Sequence, residues 1–132
     1  MQSETPLLRT MIVDDSPTFM RTVCAFLNHI HAVEIVATAE NAPDALALAE
    51  KVHPDLVLMD MQMPLMNGLE ATVRLHARFP DIKIIMVTGH DTPELRRASR
   101  ESGAQGFVSK NRFAQELPTR LREISMMPGS AA

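Results

Sequence analysis

The stretch "LVLMDMQMPLMNGLE", residues 56–70, decides how the chain is read. Its first four residues are apolar and run straight into one carboxylate, Asp60, with Pro64 and Gly68 four and eight residues beyond it. A short continuous apolar run bounded by turn residues has the pattern of a strand buried on both faces, as a parallel sheet requires. The acid at its end either closes a turn or is delivered to a cleft. The rest of the chain decides between the two.

Outward from this stretch, branched apolar runs at 8–13, 34–39, 56–59, 83–88 and 106–109 alternate with segments of helical period. Ser16-Pro17 and Thr92-Pro93 each place a capping hydroxyl before a Pro, whose missing N–H costs nothing at a first helical position. Asn41 is expected to cap a helix carrying the stripe Ala45, Leu46 and Ala49. Phe19, Val23, Phe26, Leu27 and Ile30 should face the sheet, as should Leu69 and Val73 on the third helix and Leu95 and Ala98 on the fourth. In the last helix Phe113, Leu117, Leu121 and Ile124 keep the spacing, but Pro118 falls inside the stripe, so a late start or a kink is expected. Strict alternation of five strand–helix units predicts an α/β fold, a doubly wound five-stranded parallel sheet with five helices.

Composition bounds the function. The 132 residues suffice for one domain, read as residues 7–126 between short tails at 1–6 and 127–132. Hydrophobic residues make up 45% and charged residues 22%, which excludes a disordered chain. No apolar run approaches a membrane span and the N-terminus lacks a signal-peptide pattern, so no membrane association is expected. The single cysteine, Cys24, excludes an internal disulfide and suits a reducing cytoplasm. A net charge of −3, with five Phe but no Trp or Tyr, argues against direct nucleic-acid binding by this domain.

In a doubly wound sheet, chemistry belongs at the carboxyl ends of the strands. There the chain carries Asp14-Asp15, Asp60, Thr88-Gly89 and Lys110. Each alone has a plain explanation: acids before a helix favour its dipole, and a lone Asp or Thr after a strand is a turn or cap residue. All of them on one edge is a different matter. Two carboxylates about 5 Å apart repel by roughly 3 kcal/mol at an effective dielectric near 20. Such a cluster holds a proton or recruits a hard cation, and oxygen-only ligands in an open cleft favour Mg²⁺. With Mg²⁺ bound, Asp60 can act as a nucleophile toward a phosphoryl group, the Lys110 ammonium and Thr88 hydroxyl taking the oxygens that the metal does not.

These residues resemble the receiver domain of two-component response regulators, over about residues 7–125. "VDDSPTFM" is similar to that family's acidic-pair motif, "LMDMQMPLMNG" to its phosphoacceptor motif, "VTGH" to its hydroxyl-bearing loop, and "GAQGFVSK" to its aromatic and Lys. The resemblance implies the flavodoxin-like, chemotaxis-regulator fold with strand order 2-1-3-4-5. It further implies phosphorylation of Asp60 by a sensor histidine kinase or histidine phosphotransfer protein. Mg²⁺ would sit at Asp14, Asp15, Asp60 and the Gln62 backbone carbonyl, Thr88 and Phe107 would form a switch pair, and Gln62 and His90 would tune hydrolysis. Asn111 stands where the family often has a cis Pro.

The face spanning residues 94–125 holds seven Lys/Arg (Arg96, Arg97, Arg100, Lys110, Arg112, Arg120, Arg122) against four acids, which suits an acidic effector or a phosphorylation-induced homodimer. Met59 is expected in the core, with Met61, Met63 and Met66 filling gaps or forming a docking surface. Three functions follow. The first is a phosphorylation switch, alone or as the receiver of a longer DNA-binding regulator. The second is a haloacid-dehalogenase-type phosphohydrolase, disfavoured because Gln62 occupies the position of its acid/base. The third is a phosphate-independent docking module.

Overall fold

The computed structural model describes residues 7–127. The expected tails at 1–6 and 127–132 lie outside the described residues, Met127 excepted. Strands β1 (Leu8–Val13), β2 (Val33–Ala39), β3 (Leu56–Asp60), β4 (Lys83–Thr88) and β5 (Gly106–Ser109) alternate with helices α1 (Pro17–Leu27), α2 (Ala42–Val52), α3 (Gly68–Arg78), α4 (Pro93–Ser102) and α5 (Phe113–Ser125). A 3₁₀ turn at Lys110–Arg112 joins β5 to α5. The sheet is parallel throughout, in the order β2-β1-β3-β4-β5.

Every residue of β3 and β4 is buried, which is why these strands read as unbroken apolar runs rather than alternating ones. The pleat divides them between two cores. Met11, Val57, Met59, Ile84 and Met86 pack toward α2 and α3, with Ala45, Ala49, Ala71 and Leu75 opposite. Ile12, Leu58, Ile85, Val87 and Val108 pack toward α1 and α5, against Val23, Leu27, Phe113, Leu117, Leu121 and Ile124. Met59 is fully buried, and Met61, Met63 and Met66 join the first core as gap-fillers.

The helix starts follow their caps. The side chains of Ser16, Asn41 and Thr92 accept from the backbone N–H of Phe19, Asp44 and Leu95. Asn67 does the same for α3, accepting from Glu70. Two expectations are corrected. Val73 is half exposed, and the buried face of α3 is instead Gly68, Ala71, Thr72 and Leu75. Of the late start or kink expected at Pro118, the late start is excluded: α5 starts at Phe113 and carries Pro118 inside it. Phe113 and Leu117 are 5% and 0% exposed. Burying two such side chains stabilises by about 1.5–3 kcal/mol each, which outweighs the roughly 3 kcal/mol an interior proline costs.

Among the described residues, no helix is long and apolar enough to cross a membrane.

Candidate functional site

The strand order reverses between β1 and β3, and the crevice beyond their carboxyl ends is where such sheets bind ligands. Asp14 lies just after β1 and Asp60 is the last residue of β3, so the fold places both carboxylates at that crevice. One oxygen from each of Asp14, Asp15 and Asp60 falls within 4.8 Å of the others. Asp14 and Asp60 are buried, at 2% and 3% exposure, whereas Asp15 faces solvent.

Two acids are fixed from the backbone. Asp14 Oδ1 accepts the Ser16 N–H at 2.8 Å, and Asp60 Oδ1 accepts the Gln62 N–H at a longer 3.4 Å. The Lys110 ammonium closes the group, 3.1 Å from Asp14 Oδ2 and 3.4 Å from Asp60 Oδ1. Phe19 forms a wall beneath it, with the ammonium 4.7 Å from the ring centroid. Asp60 Oδ2 is buried and has no hydrogen-bond partner. A buried carboxylate oxygen left unpaired is costly unless a ligand or proton meets it.

Burial, reinforced by the negative charge of Asp14, pushes the Asp60 carboxyl up to about 6 against the counter-pull of Lys110 and the Gln62 N–H. Burial pulls the Lys110 ammonium down, but its hydrogen bond to Asp14 and the charges of Asp60 and Asp14 outweigh this and hold it above its ordinary value. The orphaned oxygen, the raised acid and the all-oxygen donor set fit a hard divalent cation such as Mg²⁺.

The other sequence-derived residues surround this centre. Thr88 ends β4, is buried, and its hydroxyl accepts the His90 N–H at 3.0 Å. Thr88 pairs with Ser109 and Met86 with Phe107, so Thr88 and Phe107 are diagonal neighbours two positions apart along the sheet. Phe107 is buried beneath the Arg96 guanidinium, which lies 4.7 Å from its ring centroid. The side chains of Gln62 and His90 are exposed on the rim. Among the described residues no peptide bond is cis, so the Lys110-Asn111 bond is trans. The face of residues 94–125 is less basic than its composition: Arg96, Arg112 and Arg120 pair with Asp91, Glu116 and Glu123.

Sequence reasoning missed Phe19 as a wall for Lys110, Ser16 as a backbone donor to Asp14, and Glu116, whose carboxylate accepts the Ser109 N–H. The Asp14-x-Ser16 spacing is that of an Asx turn and could have revealed the second of these. The first and third come from elements that meet only in three dimensions.

The response regulator receiver domain family matches residues 10–122. The transcriptional regulatory protein DegU of Brevibacillus brevis is 36% identical over 110 residues, covering 83% of this chain and 47% of that protein. The response regulator GacA of Pseudomonas aeruginosa is 31% identical over 118 residues, covering 89% of this chain and 55% of that protein. The chain thus spans about half the length of these curated relatives. A two-component response regulator of the LuxR family from Aurantimonas sp. SI85-9A1 superposes with a TM-score of 0.85 at 29% identity, covering 89% of this chain and 84% of that one. Acidic cluster, sheet order and sequence match agree: this chain belongs to the response regulator receiver domain family, the phosphoacceptor module of two-component signalling.

Proposed function

We propose that Asp60 is the phosphorylated residue and that Lys110 and Thr88 assist the transfer, within a receiver unit of residues 7–126. The unpaired Oδ2 of Asp60 is the observation that carries this reading: the Gln62 N–H and Lys110 both engage Oδ1 and leave this buried oxygen to a ligand. It adds to the phosphorus of a phosphohistidine, and the P–N bond breaks with its electron pair leaving on the imidazole nitrogen. Mg²⁺ held by Asp14, Asp15, Asp60 and the Gln62 carbonyl would neutralise charge on the transferring phosphoryl group. Lys110 and the Thr88 hydroxyl meet its remaining oxygens. The catalysis is confined to forming and breaking this acyl phosphate, with Gln62 and His90 on the rim setting water access.

Phosphorylation leaves about two negative charges on the phosphoryl group at Asp60, where the carboxylate carried one, and draws Thr88 inward. Phe107, its diagonal neighbour, moves into the space vacated, and Arg96 moves with it, changing the face of residues 94–125 seen by an effector or a second copy. The donor is a sensor histidine kinase or a histidine phosphotransfer protein, acting in the cytoplasm. Because DegU is a transcriptional regulator and this chain spans about half its length, we further propose that the domain controls a DNA-binding output within a longer protein.

The test is incubation with acetyl phosphate and Mg²⁺ followed by intact-mass measurement. A gain of about 80 Da on the wild type but not on Asp60→Asn is expected, since one phosphoryl group is added. An unmodified wild type, or equal modification of Asp60→Asn, rejects the assignment and favours phosphate-independent docking.

A further inference from the structure

Among the described residues β5 is the outermost strand at its edge of the sheet, so N–H groups on its outer side have no ladder partner there. The Ser109 N–H, in a residue only 5% exposed, donates instead to Glu116 Oε1 at 3.0 Å. The second oxygen of Glu116 lies 3.1 Å from Arg112 Nε, and the Glu116 side chain is 13% exposed. On the other side of Lys110, the Ser109 hydroxyl accepts the Asn111 N–H at 3.2 Å. The backbone is therefore fastened on both sides of Lys110, in a turn where Asn111 supplies no ring to stiffen it.

That fastening matters because Lys110 leaves the edge strand and must pass β4 to reach Asp60 on β3 and Asp14 after β1. A flexible four-carbon stem carries little direction of its own, so the position of its Cα decides where the ammonium arrives. Favourable interaction with a helix N-terminus and an i,i+4 ion pair would account for an acid at this point of α5 and for its contact with Arg112. They do not account for the bond to the strand.

We infer that Glu116 is a positioning residue for phosphoryl transfer: by holding the Ser109 amide it sets the reach of Lys110 into the site. This rests on the phosphoacceptor reading above. Without an acceptor at position 116, the Ser109 N–H is left buried and unpaired, and the turn must shift to rehydrate it.

The experiment compares wild type, Glu116→Gln, Glu116→Ala and the similarly long Glu116→Met for acetyl phosphate labelling rate, binding of Mg²⁺ alone, and thermal unfolding. Displacement of a catalytic group by about 1 Å can cost a hundredfold, so a drop of at least about tenfold is expected for Ala and Met. Glu116→Gln keeps an oxygen acceptor and should stay within about threefold of wild type, while Mg²⁺ affinity, set at the ends of β1 and β3, does not fall in any variant. If Glu116→Ala fails to fold, Glu116→Met decides. Labelling by the folded Ala or Met variant at the wild-type rate overturns the inference, as does a Gln variant as slow as Met, or Mg²⁺ binding that weakens in step with the rate. A wild type that takes no label fails the phosphoacceptor reading itself, a separable result.

Discussion

Gly68 at the start of α3 lies against the end of β3 so closely that a Cβ on it would stand 2.3 Å from the Asp60 backbone oxygen. The same Cβ would be 2.8 Å from Met61 Cα, and the Gly68 N–H donates to the Met61 carbonyl at 2.8 Å. The glycine eight residues after the acid is thus what lets the helix seat behind Asp60. Gly68→Ala must push the start of α3 away from the end of β3, and neither backbone can swing aside as a side chain would. A loss of about 1–3 kcal/mol in denaturant unfolding is expected, as for other overpacked sites, with slower acetyl phosphate labelling as Asp60 is displaced. Wild-type stability and rate in this variant would show that the helix start yields freely.

Asp60 should make metal-free stability pH-dependent. Its folded carboxyl is raised from 3.8 to about 6, chiefly by burial. A group whose pKa is raised on folding contributes its full stability below the unfolded value and loses it as pH climbs through the folded one. The wild type should therefore lose up to about 3 kcal/mol between pH 4 and pH 7 relative to Asp60→Asn, at about 1.4 kcal/mol per pKa unit. Denaturant curves of both proteins in a chelator across this range measure the difference. Because Mg²⁺ meets the ionised form, its affinity for the wild type should also fall as pH drops through about 6. A stability difference independent of pH would contradict the raised pKa.

Leu65 sits in the loop between Asp60 and Gly68 with φ at 73° and 84% exposure. The Met66 N–H bonds back to the Pro64 carbonyl at 2.8 Å, which makes Leu65 the centre of a γ-turn of the rare, strained hand. Such a backbone costs a non-glycine residue about 1–3 kcal/mol, and an exposed side chain recovers little of it by packing. Leu65→Gly should therefore raise stability by about 0.5–1 kcal/mol, after subtracting the entropy glycine brings to the unfolded chain. Thermal and denaturant unfolding at matched pH give the comparison, and a destabilised variant would mean that Leu65 packs on something it does not touch in this structure.

What could be read beforehand divides along physical lines. The parallel sheet announced itself because β3 and β4 are buried on both faces, leaving "LVLM" and "IIMV" unbroken. The caps at Ser16, Asn41 and Thr92 were legible because each bonds within its own three-residue neighbourhood. Asp14, Asp60 and Lys110 could be gathered because strand ends share an edge whatever the packing details. Phe19 against Lys110 and Glu116 against Ser109 were hidden, since each contact depends on how a helix is set against the sheet. Val73 misled because a valine at the right spacing looks like core, whereas the closely seated α3 buries small residues, Gly68 and Ala71. At Pro118 the late start fails for the opposite reason: burial of Phe113 and Leu117 overrides the local cost of the proline.

That override leaves a measurable defect in α5. Pro118 offers no N–H to the Ala114 carbonyl one turn earlier, and its ring crowds that turn. Pro118→Ala supplies the missing donor and a residue of the highest helix propensity, and removes only a half-buried ring from the apolar groove beside Phe26 and Leu121. The unfolded chain gains about 0.4–1 kcal/mol of freedom when a proline is removed, which opposes the gain. The net expectation is stabilisation by about 1–2 kcal/mol, well short of the roughly 3 kcal/mol an unopposed interior proline would imply. Hydrogen exchange at the new amide of position 118 locates the effect: protection there, together with a higher unfolding midpoint, shows that the bond to Ala114 has formed. A destabilised variant with a rapidly exchanging amide would mean that the helix is bent at this point to fit the ring, and that the bend serves the packing of Leu117 and Leu121.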